Sequence, residues 1–130
     1  MWLMKKRVPK SLRNWFFVHF VADMLFAIPL IFFPNWFLSV MGFTVVDPVM
    51  SGIVGAALVG IGGTSFLVYN KGVETFDALV TLKIVWSWVA ILVLFYYVVT
   101  GGPWSLLFIL LVFVVFSIVW MYYKRRLLNA

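Results

Sequence analysis

The sequence predicts an all-α integral membrane protein, a four-helix bundle with both termini in the cytoplasm and a short interfacial helix between spans one and two. Hydrophobic residues make up 65% of the chain, against the ~45–50% usual for soluble domains. Charged residues make up only 11%, less than half of the usual ~25%. The chain has four apolar segments long enough to cross a bilayer, which takes roughly 20 residues each. We therefore expect one membrane domain over residues 1–130.

The first apolar segment is a retained helix, predicted at about residues 15–33. The alternative is a secretory signal peptide, whose apolar core is only ~7–15 residues long and ends at small residues. Here the core is longer, contains Asp23, and is followed by the bulky segment 34–37. These features favour a membrane span.

The next three spans are bounded by turn and capping residues. A segment at about residues 35–42 is too short to cross the bilayer and is rich in aromatics, which is typical of an interfacial helix. Asp47 and Pro48 then indicate a helix start. The spans are predicted at about residues 49–69, 76–99 and 104–123, and the Gly-Gly-Pro motif at 101–103 predicts a tight turn before the last span.

Lysine and arginine residues predict the orientation, because they are enriched in cytoplasmic loops. They occur before span one, between spans two and three, and after span four, whereas the other two loops have none: Lys5, Lys6, Arg7, Lys10, Arg13, Lys71, Lys124, Arg125 and Arg126. We therefore expect a multi-pass protein of the cell membrane with both termini cytoplasmic. Aromatic belts are predicted at both interfaces, the inner from Trp15, Tyr69, Trp120, Tyr122 and Tyr123, the outer from Trp36 and Trp104.

Small residues in span two predict where helices pack closely, because in lipid such residues let backbones approach. They follow four-residue spacing in two rows, one with Ser51, Gly55 and Gly63, the other with Gly52, Ala56, Gly60 and Thr64. The alternative is that the small residues Gly60, Gly62 and Gly63 loosen the helix near mid-membrane, to admit a ligand or allow a hinge. Further partners that we consider are the lipid bilayer, a hydrophobic small molecule, another membrane protein and a second copy of the chain.

Two charged residues, Asp23 and Lys83, lie deep within the spans, where a charge costs about +2.5–3.5 kcal/mol on insertion scales. At ~1.5 Å per residue, Asp23 lies roughly 12 Å and Lys83 roughly 9–12 Å from the cytoplasmic ends of their spans. Because the depths match, we expect Asp23 and Lys83 to form a buried ion pair in the cytoplasmic half of the bundle.

Polar and aromatic residues from all four spans fall near that depth. His19 is one helical turn from Asp23, and Ser87 and Trp86 are near the face of Lys83. The last span contributes Ser117, and the second contributes Thr64 with Ser65 beside it. The predicted site residues are therefore Asp23, Lys83, His19, Trp86, Ser87, Ser117 and Thr64.

This layer has two interpretations. It is either a structural bridge that fixes helix register, or a site that binds a polar or cationic ligand or passes protons, with His19 as the titrating group. We assign no catalytic residue, metal site or cofactor, because one histidine with two acids is a poor metal site and no nucleotide or hydrolase motif is present. The chain has no cysteine. The net charge of +6 does not indicate nucleic acid, since the basic residues flank apolar spans.

The segment Pro34–Gly42, the Asp47–Pro48 pair, the run Gly55–Gly62 and Lys83 resemble small DoxX-like four-helix membrane proteins. The resemblance implies the fold over roughly the first two-thirds of the chain. The named branch of that group is associated with quinone-linked sulfur oxidation and with membrane complexes that respond to oxidative stress. The absence of cysteine argues against thiol redox work by this chain.

Three functions remain open from the sequence. The leading hypothesis is a small non-enzymatic membrane protein, either a subunit of a membrane complex or a binder of a hydrophobic or cationic ligand. The second is a small proton-coupled transporter, against which a lysine partner for Asp23 would argue. The third is an intramembrane enzyme acting on a lipid or sterol, using His19 and Asp23 beside Trp86 and Trp88.

Overall fold

A computed structural model describes residues 7–129, and all regular structure within that range is helical. Five helices follow one another: α1 (Lys10–Phe32), α2 (Pro34–Val40), α3 (Pro48–Leu67), α4 (Val73–Val99) and α5 (Ser105–Asn129). The four long helices are apolar and long enough to cross a membrane. The predicted all-α class with four spans is thus confirmed. Lys5 and Lys6, which count toward the predicted cytoplasmic charge, lie outside the described residues.

The first and last helices of the chain, α1 and α5, extend beyond the predicted spans at their charged ends. α1 begins at Lys10, before the apolar segment, and α5 continues through Lys124 to Asn129. Hydropathy shows where a helix leaves the lipid, whereas backbone hydrogen bonding continues because lysine and arginine are good helix formers. Their long side chains also reach back to polar surroundings.

The start of α3 is capped as the sequence predicts. The backbone N–H groups of Val49 and Met50 donate to Asp47 Oδ1 at 3.0 and 3.2 Å. Pro48 occupies the first turn, where its missing N–H leaves no intrahelical bond unmade. The short helix α2 before it contacts the bundle through Phe37 and Leu38 and leaves Trp36 exposed.

The turn between α4 and α5 also follows the sequence prediction. Gly101 has a φ of +93°, a conformation that favours glycine, and the N–H of Gly102 donates to the carbonyl of Tyr97 at 2.7 Å. This bond satisfies a carbonyl in the last turn of α4. α5 can therefore reverse direction directly after α4.

The four long helices alternate in direction. At one end of the bundle, Tyr123 on α5 donates to Ser11 near the start of α1 at 2.6 Å, and Arg13 bonds to the carbonyl of Tyr69 between α3 and α4. At the opposite end, Ser105 on α5 donates to the carbonyl of Met41 at 2.7 Å. We call these the terminal end and the α2 end.

The bundle consists of two close helix pairs. Backbones approach most closely between α1 and α3 and between α4 and α5. The pairs are joined mainly by long side chains at the terminal end, where Phe16 of α1 stacks on Phe76 of α4 at 4.4 Å and lies edge-on to Trp120 of α5 at 5.7 Å. The main core lies around these rings: Val8, Leu12, Phe16, Phe76, Val80, Trp120, Tyr123 and Leu127.

Glycines explain the close approach of α3 to α1. A Cβ built on Gly55 would lie 2.5 Å from Ile31 Cγ1 and 3.2 Å from the Ala27 carbonyl oxygen, and one built on Gly62 would lie 2.6 Å from Asp23 Cβ. The buried face of α3 has a spacing of three and four residues: Ser51, Gly55, Leu58, Gly62 and Ser65.

The predicted four-residue rows are therefore wrong beyond Ser51 and Gly55. Gly52, Gly60 and Gly63 have open space where a Cβ would stand. Alternating steps of three and four residues keep a face in contact along a neighbouring helix, whereas steps of four drift around the helix.

The predicted inner aromatic belt also needs correction. Trp120 is only 1% exposed and Tyr123 is buried, whereas Tyr69 and Tyr122 are exposed. Trp120, Tyr123 and Leu127 are spaced by three and four residues, so they share the inward face of α5. An aromatic residue near a helix end indicates a membrane interface only if it lies on the outward face of its helix.

Two alanine substitutions in α3 test this packing. Gly55→Ala should lower the free energy of unfolding by about 1–3 kcal/mol, because the added methyl overpacks the contact with α1. Gly60→Ala adds the same methyl to an open face, so it should leave stability unchanged or raise it by about 0.5–1 kcal/mol through helix propensity. Thermal unfolding in detergent, followed by circular dichroism, measures both. Equal effects of the two variants would contradict the assigned contact face.

Candidate functional site

Lys83 is the centre of a buried polar layer in the half of the bundle near the terminal end. The residue is only 1% exposed. Its Nζ atom lies 2.7 Å from His19 Nδ1 and 2.5 Å from Ser65 Oγ. Side chains of α1, α3 and α4 are therefore joined at one atom.

Two aromatic rings complete the surroundings of this amine. Lys83 Nζ lies 4.8 Å from the ring centroid of Phe16 and 5.2 Å from that of Trp120. The face of an aromatic ring attracts a cation, more strongly when water is excluded. The rings thus favour the ammonium form of Lys83 without adding a counter-charge.

The hydroxyl of Ser65 sets the direction of its hydrogen bond with Lys83. Ser65 Oγ donates its one proton to the carbonyl of Ile61 at 3.0 Å. Only lone pairs then remain on this oxygen for Lys83. The amine must therefore donate to Ser65.

His19 stands between Lys83 and Asp23. Its Nδ1 faces the lysine, and its Nε2 lies 3.4 Å from Asp23 Oδ1. The ring is held by Phe116 and Trp120, with centroids at 4.8 and 5.2 Å. α1 and α5 together therefore fix the orientation of the imidazole.

The expected direct ion pair is replaced by this indirect arrangement. Among residues 7–129, Lys83 bonds to His19 and Ser65, and Asp23 Oδ1 lies 3.4 Å from His19 Nε2. Counting residues along a helix gives depth but not rotation. His19, one turn nearer the terminal end than Asp23, reaches the lysine first.

Asp23 lies against the backbone of α3. A Cβ on Gly62 would stand 2.8 Å from Asp23 Oδ2, so only glycine leaves room for the carboxylate there. That oxygen is buried and has no hydrogen-bond partner among the described residues. An unpartnered buried acceptor is costly and requires an explanation.

Ser117 supplies a second buried oxygen of this kind. The residue is 3% exposed, and within the described part of the chain its Oγ atom has no partner. It lies on the inward face of α5, three residues before Trp120. α5 therefore contributes polar as well as aromatic groups to the interior.

The remaining predicted site residues have other surroundings. Ser87 is buried, but its hydroxyl donates to the carbonyl of Ile84 at 3.1 Å on its own helix. Trp86 packs on the cluster of Ala27, Leu30 and Leu58, and its ring centroid lies 6.1 Å from that of Phe113. It is not one of the two rings beside Lys83 Nζ, which belong to Phe16 and Trp120. Thr64 is half-buried, and Ser65, one position further, has the contact with Lys83.

The sequence analysis did not identify Phe16, Trp120 and Gly62 as parts of the site. Phe16 and His19 are three residues apart on one face of α1, and Trp120 is three residues from Ser117 on α5. This helical spacing from predicted polar residues is the signal that would have placed the two rings. Gly62 was noted as a small residue, but its contact with Asp23 depends on helix rotation.

Two further observations limit the chemistry of the site. Among residues 7–129 no group of three histidine, cysteine, aspartate or glutamate residues stands close enough to hold a metal ion. Two surface cavities lie at the ends of the bundle, one lined by residues 42–45 and 101–103, the other by 72–75, 77, 127 and 128. Neither includes a residue of the polar layer.

Comparisons with known proteins add no assignment: no family model, no curated protein and no solved structure matches this chain. The resemblance to small DoxX-like membrane proteins therefore stays a prediction. The polar layer is the feature of this chain that bears on its function.

Neighbouring residues on α3 provide a matched test of the layer. Ser65→Ala removes an acceptor from the buried amine of Lys83, which should cost about 1–3 kcal/mol of stability. Thr64→Ala removes a half-buried side chain outside the layer and should stay within ~0.5 kcal/mol. Unfolding in detergent, followed by tryptophan fluorescence, compares the two. A larger loss for Thr64→Ala would show that Thr64 is the layer residue.

Proposed function

We propose that the chain is a multi-pass protein of the cell membrane with both termini in the cytoplasm. Apart from the buried Lys83, the basic residues among those described all lie at the terminal end: Arg7, Lys10, Arg13, Lys71, Lys124, Arg125 and Arg126. Such an excess of positive charge is typical of cytoplasmic flanks. At the α2 end, Trp36 and Trp104 are 65% and 70% exposed, which suits residues at a membrane interface.

Single cysteines test this orientation directly, because the native chain has none. In intact cells, a membrane-impermeant maleimide should label Thr44→Cys at the α2 end and should label Asn70→Cys only after permeabilisation. Both positions are exposed. The reverse pattern would place the termini outside, and labelling of both positions in intact cells would contradict a single orientation.

We further propose that the protein is non-enzymatic and binds a hydrophobic ligand with a cationic, hydrogen-bond-donating head in the polar layer. The observation that carries this proposal is the buried Asp23 Oδ2 atom without a donor. An ammonium head would supply both the donor and the opposite charge. A hydrogen bond to a charged group contributes about 1.5–3 kcal/mol, more than a neutral one.

The architecture offers a route for such a ligand. No residue is buried in α4 from 88 to 99 or in α5 from 107 to 116. The two helix pairs are thus held together mainly nearer the terminal end, by the rings around Phe16 and by Lys83. A ligand dissolved in the bilayer would enter by parting the pairs toward the α2 end.

Binding of an alkylammonium probe tests the site. Native mass spectrometry of the protein in nanodiscs should detect bound dodecylamine, and Asp23→Asn should weaken its binding by about tenfold or more, as loss of a charged hydrogen bond implies. Dodecane, which has the same tail without a charge or a hydrogen-bond donor, should bind the wild type and Asp23→Asn alike. Glu74→Gln, an acidic residue exposed at the start of α4, is the matched control and should bind dodecylamine like the wild type. Equal dodecylamine binding by Asp23→Asn and the wild type would overturn the proposal.

A small proton-coupled transporter is the second candidate function. It is favoured by the finding that Lys83 does not bond to Asp23, so the carboxylate keeps an oxygen available for exchange. The lipid- or sterol-modifying enzyme stays a prediction of the sequence. Membership in a membrane complex and homo-oligomerisation stay predictions of the sequence.

A further inference from the structure

We propose that Lys83, His19 and Asp23 form a proton relay across the polar layer, in which one proton passes from Lys83 Nζ to Asp23 through the imidazole of His19. The three groups stand in line, with Nζ 2.7 Å from Nδ1 and Nε2 3.4 Å from Asp23 Oδ1. The relay uses residues of the proposed ligand site, but it requires no ligand.

In the charged state, the ammonium of Lys83 donates to His19 Nδ1 and to Ser65 Oγ. Since Nδ1 accepts, the ring proton of the neutral imidazole is on Nε2, which points toward the carboxylate of Asp23. The layer then contains one positive and one negative charge separated by a neutral ring. Phe16 and Trp120 favour this state through the ammonium.

In the uncharged state, both ends have exchanged a proton with the ring. The Nζ–H bond of Lys83 breaks as an Nδ1–H bond forms, and the Nε2–H bond breaks as an O–H bond forms on Asp23 Oδ1. Lys83 then accepts from Nδ1–H and still donates to Ser65, while the carboxylic acid donates to Nε2. Each proton moves from its donor atom to the acceptor atom that faces it, and the net charge of the layer does not change.

Both states satisfy the fixed hydrogen bonds of the site, which is the geometric basis of the proposal. Ser65 accepts from Lys83 in either state, because its own proton is held by the Ile61 carbonyl. Separated charges cost more in a low-dielectric interior, which favours the uncharged state, whereas the aromatic rings favour the charged one. These opposing terms allow the two states to exchange.

The distance between His19 and Asp23 marks the slow step of the relay. Ordinary N–H···O bonds span about 2.7–3.2 Å, so the 3.4 Å between Nε2 and Oδ1 must shorten before a proton crosses. The hydrogen bonds and ion pairs of the three side chains involve no other ionisable group among residues 7–129. α3 and α5 contribute only the hydroxyls of Ser65 and Ser117 and the faces of aromatic rings.

The single histidine of the chain makes the relay measurable. Solid-state ¹⁵N NMR of histidine-labelled protein in lipid bilayers reports the tautomer of His19 alone. The relay predicts that the wild type shows both the Nε2–H and the Nδ1–H tautomer. Asp23→Ala offers neither a group that takes up a proton nor a donor to Nε2, so this variant should lose the Nδ1–H signals, whereas Glu74→Gln should retain them. A wild type with one tautomer only, or with a doubly protonated ring, would overturn the relay.

A second measurement on the wild type covers the case in which Asp23→Ala does not fold. As temperature changes, the infrared carbonyl band of a protonated carboxyl group should rise and fall together with the Nδ1–H tautomer. A carboxyl band independent of the tautomer would contradict the relay. Dodecylamine binding with a single tautomer would remove the relay and leave the ligand site intact, whereas two tautomers without amine binding would do the reverse.

Discussion

Lys83 places an amine among side chains from all four long helices, at a depth where a charge is expensive. The cost is offset by two hydrogen-bond acceptors and two aromatic faces, supplied by His19, Ser65, Phe16 and Trp120. These groups come from α1, α3 and α5, so the amine of α4 is satisfied only when both helix pairs are together. Because backbones do not approach closely between the pairs, this contact and the rings around it determine how the halves of the bundle are joined.

The close approach of α1 and α3 has a direct consequence for chemistry. Gly62 lets Asp23 lie against the α3 backbone. There, no side chain among the described residues donates to Asp23 Oδ2. The same contact that packs two helices therefore leaves a buried acceptor without a donor. A bulkier residue at position 62 would push Asp23 away from its present place, so packing and the proposed site are two aspects of one interface.

The sequence was sufficient for the fold because membrane spans depend on local properties. Apolar length predicted the four long helices, and Asp47 with Pro48 predicted the start of α3, since a cap needs only neighbouring residues. The depth of a residue along its helix also follows from local information, the count of residues from the helix end. This count placed Asp23, His19, Lys83 and the serines at one level. Rotation about each helix axis was not local. It depends on packing among four helices, which is why Thr64 was preferred to Ser65, Trp120 was assigned to an interface, and Lys83 was paired with Asp23 before His19.

The bonding direction around Lys83 determines where the layer can change. Ser65 can only accept from the amine, because its proton is held by a helix carbonyl. Phe16 and Trp120 offer only their faces. His19 is the one neighbour whose bond to the lysine can reverse direction, since an imidazole can exchange its donor and acceptor nitrogens. A proton exchanged between Lys83 and one of these side chains must therefore pass through His19, and from there the ring presents its other nitrogen to Asp23 alone among the ionisable groups that the structure describes.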